Sequence, residues 1–285
     1  MVLSGRYSRL KLFEFADFSK MKGKSAAVVG VGGLGALTSE ILCRCGLGRL
    51  AIMDYDVVEE ANLNRLIYRT SQVGMPKVEA LRAYLGDANP DVDVAVHPHD
   101  ITDGDGYDAF LAEIGKVDLV LGCVDTFHVR MFMNAKCVQK GRTLIDCGVS
   151  QDGINGGVHV IIPGKTPCYR CNRPLYLDEG ERVRKPMPRR DDSGLCHFTS
   201  LPTTMAIMAS LQAQEALKYL LGFGRQASYL MYFGLEGRLE RYDWKRDPRC
   251  PVCSRLPLAP GKGRSPRERG QNGMVKRHGK GRRRA

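Results

Sequence analysis

The stretch Gly30-Val31-Gly32-Gly33-Leu34-Gly35 follows a short apolar run and opens a helical pattern. Glycines in that setting let the backbone approach a phosphate closely, while the helix N-terminus adds N–H donors and the positive end of its dipole. Asp54 ends the next apolar run, where an acidic residue can take ribose hydroxyls. On these features alone the commonest ligand would be NAD or FAD. The residues that follow argue otherwise. Asn62, Arg65 and Lys77 bring an amide and two cations just beyond the ribose-binding strand. There they can surround a triphosphate whose charge must be neutralised when its α-phosphorus is attacked. Asp125 ends the run DLVLGCVD and is placed to hold Mg²⁺ at the carboxyl edge of a sheet. A hydride carrier needs no such set, so the combination points to ATP and Mg²⁺.

The cysteines supply a second chemistry. Cys168 with Cys171 and Cys250 with Cys253 form two matched C-x-x-C pairs. Four thiolates at this spacing suit Zn²⁺ in a closed tetrahedral site, which is structural and clips the later part of the chain onto its middle. Cys196 stands apart, beside His197, shortly after Arg189 and Arg190 and just before a helix start at about residues 200–204. Positive charge and a helix N-terminus both favour the thiolate, so Cys196 is a candidate nucleophile, against the alternative of an incidental exposed thiol. Cys43, Cys45, Cys123, Cys137 and Cys147 lie in apolar helices or strands and are assigned to packing. His128 and His159 fit core and surface equally well, and Met205 and Met208 read as core.

These residues must be held by a scaffold, and its pattern is legible. Short β-branched runs alternate with helical stretches, the mark of a mostly parallel sheet with crossover helices. Strands are expected at 25–30, 49–53, 92–96, 118–122 and 142–147, with helices after the glycine loop and at 76–85. The expected fold is α/β, a Rossmann-like doubly wound sheet. Further strands at 158–162, 228–233 and 238–244 surround one long helix at about 203–221. Residues 172–198 are polar, basic and without periodicity, as in a functional crossover loop.

Composition sets the outer limits. With 43% apolar residues in 285, the chain can bury a full core. No apolar run approaches the roughly 20 residues of a membrane span, and the opening MVLSGRYSRL has no apolar stretch of a secretory signal. A cytoplasmic setting is expected, and ten cysteines there imply thiol chemistry or metal before disulfides. Residues 261–285 hold ten Lys/Arg against the single Glu268, so nine of the net +12 charges lie in that stretch. The expected organisation is one domain over 1–254, with a crossover loop at about 172–200, and a flexible basic tail over 255–285. That tail reads equally as a solubility segment or as an arm for RNA or a partner, and it is where any nucleic-acid contact would reside.

Taken in order, RYSR at 6–9, GVGGLG, DYD followed by NLNR, the lysine of MPKVEA, CVDTF, CYRC and SLPTTM resemble the ubiquitin-activating (E1-like) enzymes. Bacterial MoeB and ThiF, which adenylate sulfur carriers, belong to the same superfamily. The resemblance covers about residues 5–254. Within the superfamily the chain is most similar to the branch that activates ubiquitin-fold modifier 1, through NLNRL, PGKTPCYRC and GLCHFTSLPTTM. It implies that Gly33, Asp54, Arg65, Lys77 and Asp125 contact ATP or its metal, and that Arg9 reaches into the partner subunit's site of a homodimer. It also implies a ubiquitin-like modifier adenylated at its C-terminus, a thioester on Cys196, and transfer to a conjugating enzyme. Thr126 and Asp100 stand where that branch carries Asn. Sulfur-carrier adenylation, a tRNA-modifying cyclase of the same superfamily and a non-catalytic RNA-binding scaffold are the alternatives.

Overall fold

A computed structural model describes residues 5–64, 67–171 and 199–256. Arg65 and Cys196, and most of the expected crossover loop and tail, lie outside the described residues. Eight strands form one sheet: β1 (Ser25–Val29), β2 (Arg49–Met53), β3 (Asp93–His97), β4 (Leu119–Gly122), β5 (Thr143–Val149), β6 (Gly156–Ile161), β7 (Tyr229–Phe233) and β8 (Arg238–Tyr242). Their order is β3-β2-β1-β4-β5-β6-β7-β8. The first five strands in that order are parallel, and β6, β7 and β8 continue antiparallel.

Among the described residues five α-helices cover the sheet: α1 (Gly33–Arg44), α2 (Lys77–Ala88), α3 (Gly104–Lys116), α4 (Phe127–Gln139) and α5 (Pro202–Leu221). Side chains alternate across each strand. Ala26, Val28, Leu50 and Ile52 face one core with Leu42 of α1, Leu81 and Leu85 of α2, and Met208 and Ala216 of α5. Ala27, Val29, Ala51 and Met53 face another with Phe110 and Ile114 of α3 and Met133 and Cys137 of α4. Because both faces are covered, β1 and β2 can be nearly continuous apolar runs. Wholly buried side chains such as Val28 and Ile52 each contribute about 2 kcal/mol relative to exposure. Cys43, Cys137 and Cys147 are buried, as their assignment to packing requires.

The expected strands and the long helix appear, with ends displaced by a few residues. Pro76 caps α2 and does not belong to it, whereas Pro202 is the first residue of α5, where its missing N–H costs nothing. Gly222 closes α5 in the left-handed region at φ +72°. Helices α3 and α4 were not singled out in the sequence. Glycines 104, 106 and 115 weaken the helical pattern of α3, yet Gly106 is needed because a Cβ there would lie 1.9 Å from the Asp100 carbonyl oxygen. Among the described residues no helix is long and apolar enough to cross a membrane.

Candidate active site at the carboxyl edge of the sheet

Strand β1 lies between β2 and β4, so the chain leaves β1 toward one side and later returns to its other side. The loops after β1 and β4 therefore diverge and leave a crevice at the carboxyl ends of both strands, the usual ligand position in such sheets. Gly30 adopts φ +82°, and a Cβ there would meet the Cys123 carbonyl oxygen at 2.7 Å, so the two loops touch. At Gly35 a Cβ would lie 1.9 Å from the Gly30 carbonyl oxygen, which keeps α1 hard against the loop. Nothing lies within 4 Å of a Cβ built on Gly32, and no side chain caps the start of α1 there. An open loop beneath an uncapped helix start is suited to a phosphate.

Asp54 is tied to this loop. Its carboxylate accepts from Val31 N at 2.7 Å and from Asp56 N at 2.9 Å. Burial raises its pKa, opposed by Lys77 and by those two N–H donors. Tyr68 donates to the Val31 carbonyl oxygen at 2.7 Å and fixes the loop from below; the sequence reading had not picked out this residue. Lys77, the first residue of α2 and buried at 8% exposure, bonds Asp56 at 2.7 Å. Asn62 is also buried, and its amide oxygen accepts from Glu59 N at 3.2 Å, bracing the turn before residue 65.

Asp125 is exposed just beyond β4, with the Thr126 hydroxyl donating to it at 3.0 Å. Asp100 accepts from the backbone N and the hydroxyl of Thr102, so it shapes its own turn. The glycine loop, Asp54, Lys77 and Asp125 thus share one edge. Arg9 does not join them. Tyr7, two residues earlier, packs on Gly46 in the turn between α1 and β2 and bonds Asn89 and Asp91 past the end of α2. That is the amino edge of the sheet, opposite the crevice. Thr199, three residues after Cys196, sits against Gly153 in the turn after β5, so the chain re-enters the described fold at the carboxyl edge.

The loop carrying Asp125 rests on a buried ionic group that sequence reasoning missed. Arg130, in the first turns of α4, donates from Nε at 3.0 Å and Nη2 at 2.7 Å to the Val124 carbonyl oxygen. Its Nη1 lies 3.1 Å from Asp146, which is 1% exposed and bonded by the Tyr169 hydroxyl. The spacing of Arg130 after Asp125 would have flagged it only if charge in a helix facing the sheet had been read as a requirement. His159 is core: it bonds the Pro167 carbonyl oxygen at 3.1 Å and packs edge-on against Tyr169, while His128 is exposed.

The two cysteine pairs meet on the α3–α4 face. Cys168 and Cys250 sulfurs are 3.6 Å apart, Cys171 and Cys253 3.3 Å, and Cys168 and Cys171 4.0 Å, all as free thiols. A tetrahedron of sulfurs at ~2.3 Å from Zn²⁺ has edges of ~3.8 Å, so this all-sulfur donor set fits the ion. The four ligand atoms lie within 4.8 Å of one another, and three of the four residues are buried. Arg246 clamps the second pair by donating to the carbonyl oxygens of Cys253, Leu256 and Gly164.

Known proteins resemble this arrangement in sequence and in fold. The chain is 42% identical over 263 residues to ubiquitin-like modifier-activating enzyme 5 of Caenorhabditis elegans, covering 88% of this chain and 61% of that one. It is 40% identical over 270 residues to the enzyme of the same name in Oryza sativa subsp. japonica, covering 89% and 62%. The chain thus spans about three fifths of the length of these relatives. The crystal structure of E. coli MccB with ATP superposes with a TM-score of 0.73 at 22% identity, covering 88% of this chain and 74% of that one. Selenomethionine-labelled PaaA superposes with a TM-score of 0.70 at 20% identity, covering 85% and 84%. These two share the fold. The profile of the ThiF family matches residues 5–252, and on that match together with the sequence relatives the chain belongs to the ThiF family.

Proposed function

We propose that the protein activates the C-terminal carboxylate of a ubiquitin-like modifier with MgATP. A modifier carboxylate oxygen attacks the α-phosphorus, the bond to the β-phosphate oxygen breaks, and an acyl-adenylate and pyrophosphate result. The thiolate of Cys196 then attacks the acyl carbon, releasing AMP and leaving a thioester for transfer to a conjugating enzyme. The observation that carries this reading is the convergence of the glycine loop, Asp54, Lys77 and Asp125 on one edge, in a chain 42% identical to an enzyme named for modifier activation.

The chain's own work is positioning and charge. The glycine loop and the first turn of α1 receive phosphate, Asp54 holds the loop and faces the ribose, and Asn62 braces the turn that precedes residue 65 in sequence. Lys77 leaves Asp56 for phosphate oxygens, and Arg9 enters from a second copy in a homodimer. Mg²⁺ held by Asp125 supplies neutralisation of the phosphate oxygens. Zn²⁺ on Cys168, Cys171, Cys250 and Cys253 ties the end of the domain to its middle. Residues 1–254 form the adenylating domain, and the basic stretch over 255–285 lies outside it.

Two assays on one preparation test the reading. Modifier-dependent ATP–pyrophosphate exchange and a thiol-sensitive adduct on non-reducing gels are both expected. Exchange without an adduct would favour sulfur-carrier adenylation, and the absence of both with every ubiquitin-like protein offered would refute modifier activation.

A further inference from the structure

A continuous set of contacts runs from the first cysteine pair to the Asp125 loop. Tyr169 stands between Cys168 and Cys171, in the short helical turn Tyr169–Cys171. Its hydroxyl donates to Asp146, and its ring lies 4.8 Å from that of His159. Asp146 pairs with Arg130, whose guanidinium grips the Val124 carbonyl oxygen with two N–H groups. Val124 immediately precedes Asp125. Neighbouring backbone is shaped to this group: a Cβ on Gly122 would lie 2.2 Å from Asp146 Oδ1, and one on Gly148 2.5 Å from Arg130 Nη2. Both glycines sit where the ionic group needs the space.

A bidentate grip on one carbonyl fixes the orientation of the peptide that follows it, which lysine, as a point charge, cannot do. A buried carboxylate with two donors is itself held in one position. We propose that Arg130 is a positioning residue for Asp125, and that Tyr169 of the cysteine knuckle sets its orientation through Asp146. The cysteine site, structural in itself, thereby tunes how well the crevice binds its divalent ion. This rests on the reading of Asp125 as the Mg²⁺ ligand.

The test uses the full, zinc-loaded chain with a non-hydrolysable ATP analogue, and Mn²⁺ titrated in while free Mn²⁺ is followed by electron paramagnetic resonance. Tyr169→Phe removes one oxygen and keeps the ring, and Arg130→Lys keeps the charge and loses the fork. Each is expected to weaken Mn²⁺ binding about tenfold, the usual size of effect when a ligand's supporting contacts are lost. Zinc content and analogue affinity without divalent ion should stay within about twofold of wild type, since neither variant replaces a cysteine or a residue of the glycine loop. Asp125→Ala should weaken Mn²⁺ at least as much. If Asp125→Ala does so while both other variants bind Mn²⁺ normally, the proposal fails and the Asp125 reading stands. If Asp125→Ala binds normally, that reading fails and takes the proposal with it. A parallel loss of zinc, of metal-free analogue affinity and of Mn²⁺ would show a merely structural role and overturn the proposal.

Discussion

Two residues with opposite requirements illustrate what a single side chain can be asked to do. His159 is wholly enclosed by Tyr169, Tyr229 and Trp244, and burial lowers its pKa from 6.5 to about 4, opposed only in part by its bond to the Pro167 carbonyl. Between pH 6.5 and about 4 the unfolded chain therefore binds a proton that the folded chain refuses, so stability falls as pH falls through that window. A shift of that size corresponds to a loss of roughly 2–4 kcal/mol. Thermal melts across this range should show a slope that His159→Phe flattens; an unchanged slope would mean that other groups carry the acid sensitivity. Cys196 is proposed to need the reverse, an environment that favours its charged form. Attack on the α-phosphorus requires only a bound carboxylate and electrostatic stabilisation, whereas carrying the acyl group onward requires a nucleophile. In Cys196→Ala, pyrophosphate exchange should persist while the reducible adduct disappears. An adduct that survives in the alanine variant would assign the thioester to another cysteine.

Elements rather than residues determine whether the zinc proposal matters to the fold. The pair at 250–253 follows β8 and the pair at 168–171 follows β6, so one ion would join two stretches that the sheet alone leaves separate. Metal bound only by the folded chain adds its binding energy to stability. Elemental analysis should find one zinc per chain, and stripping it should lower the melting temperature by roughly 5–10 °C if about 3 kcal/mol is lost. A zinc-free preparation that melts at the same temperature would overturn the assignment. The cysteine pairs and the glycine loop were readable in the sequence because their spacing is local and their residue types have few other uses. Helix α3 was not, since Gly104 and Gly115 weaken its helical pattern and Gly106 answers a contact with the Asp100 carbonyl that only the folded chain brings about. The same holds for Arg130 and Asp146: their pairing joins α4 to β5, and only the sheet order makes them neighbours. Tyr68 was hidden for a similar reason, because its partner Val31 lies across the crevice floor.

The position of Arg9 bears on how copies of the chain assemble. Its segment is anchored at the amino edge of the sheet through Tyr7, Asn89, Asp91 and Gly46, while the glycine loop, Lys77 and Asp125 lie at the carboxyl edge. If Arg9 takes part in adenylation, a second copy must bring it, and a two-fold dimer would complete both sites reciprocally. Complementation distinguishes this from action within one chain. Arg9→Ala and Asp125→Ala chains should each be inactive in pyrophosphate exchange. In a mixed dimer, the Arg9→Ala chain contributes an intact Asp125 and receives Arg9 from its partner, so one of the two sites is whole. Random exchange of equal amounts makes about half of the dimers mixed, and activity should recover to about a quarter of wild type. No recovery after demonstrated subunit exchange would mean that Arg9 and Asp125 serve the same chain's site or that Arg9 is needed at both. Full activity of Arg9→Ala alone would remove it from the reaction.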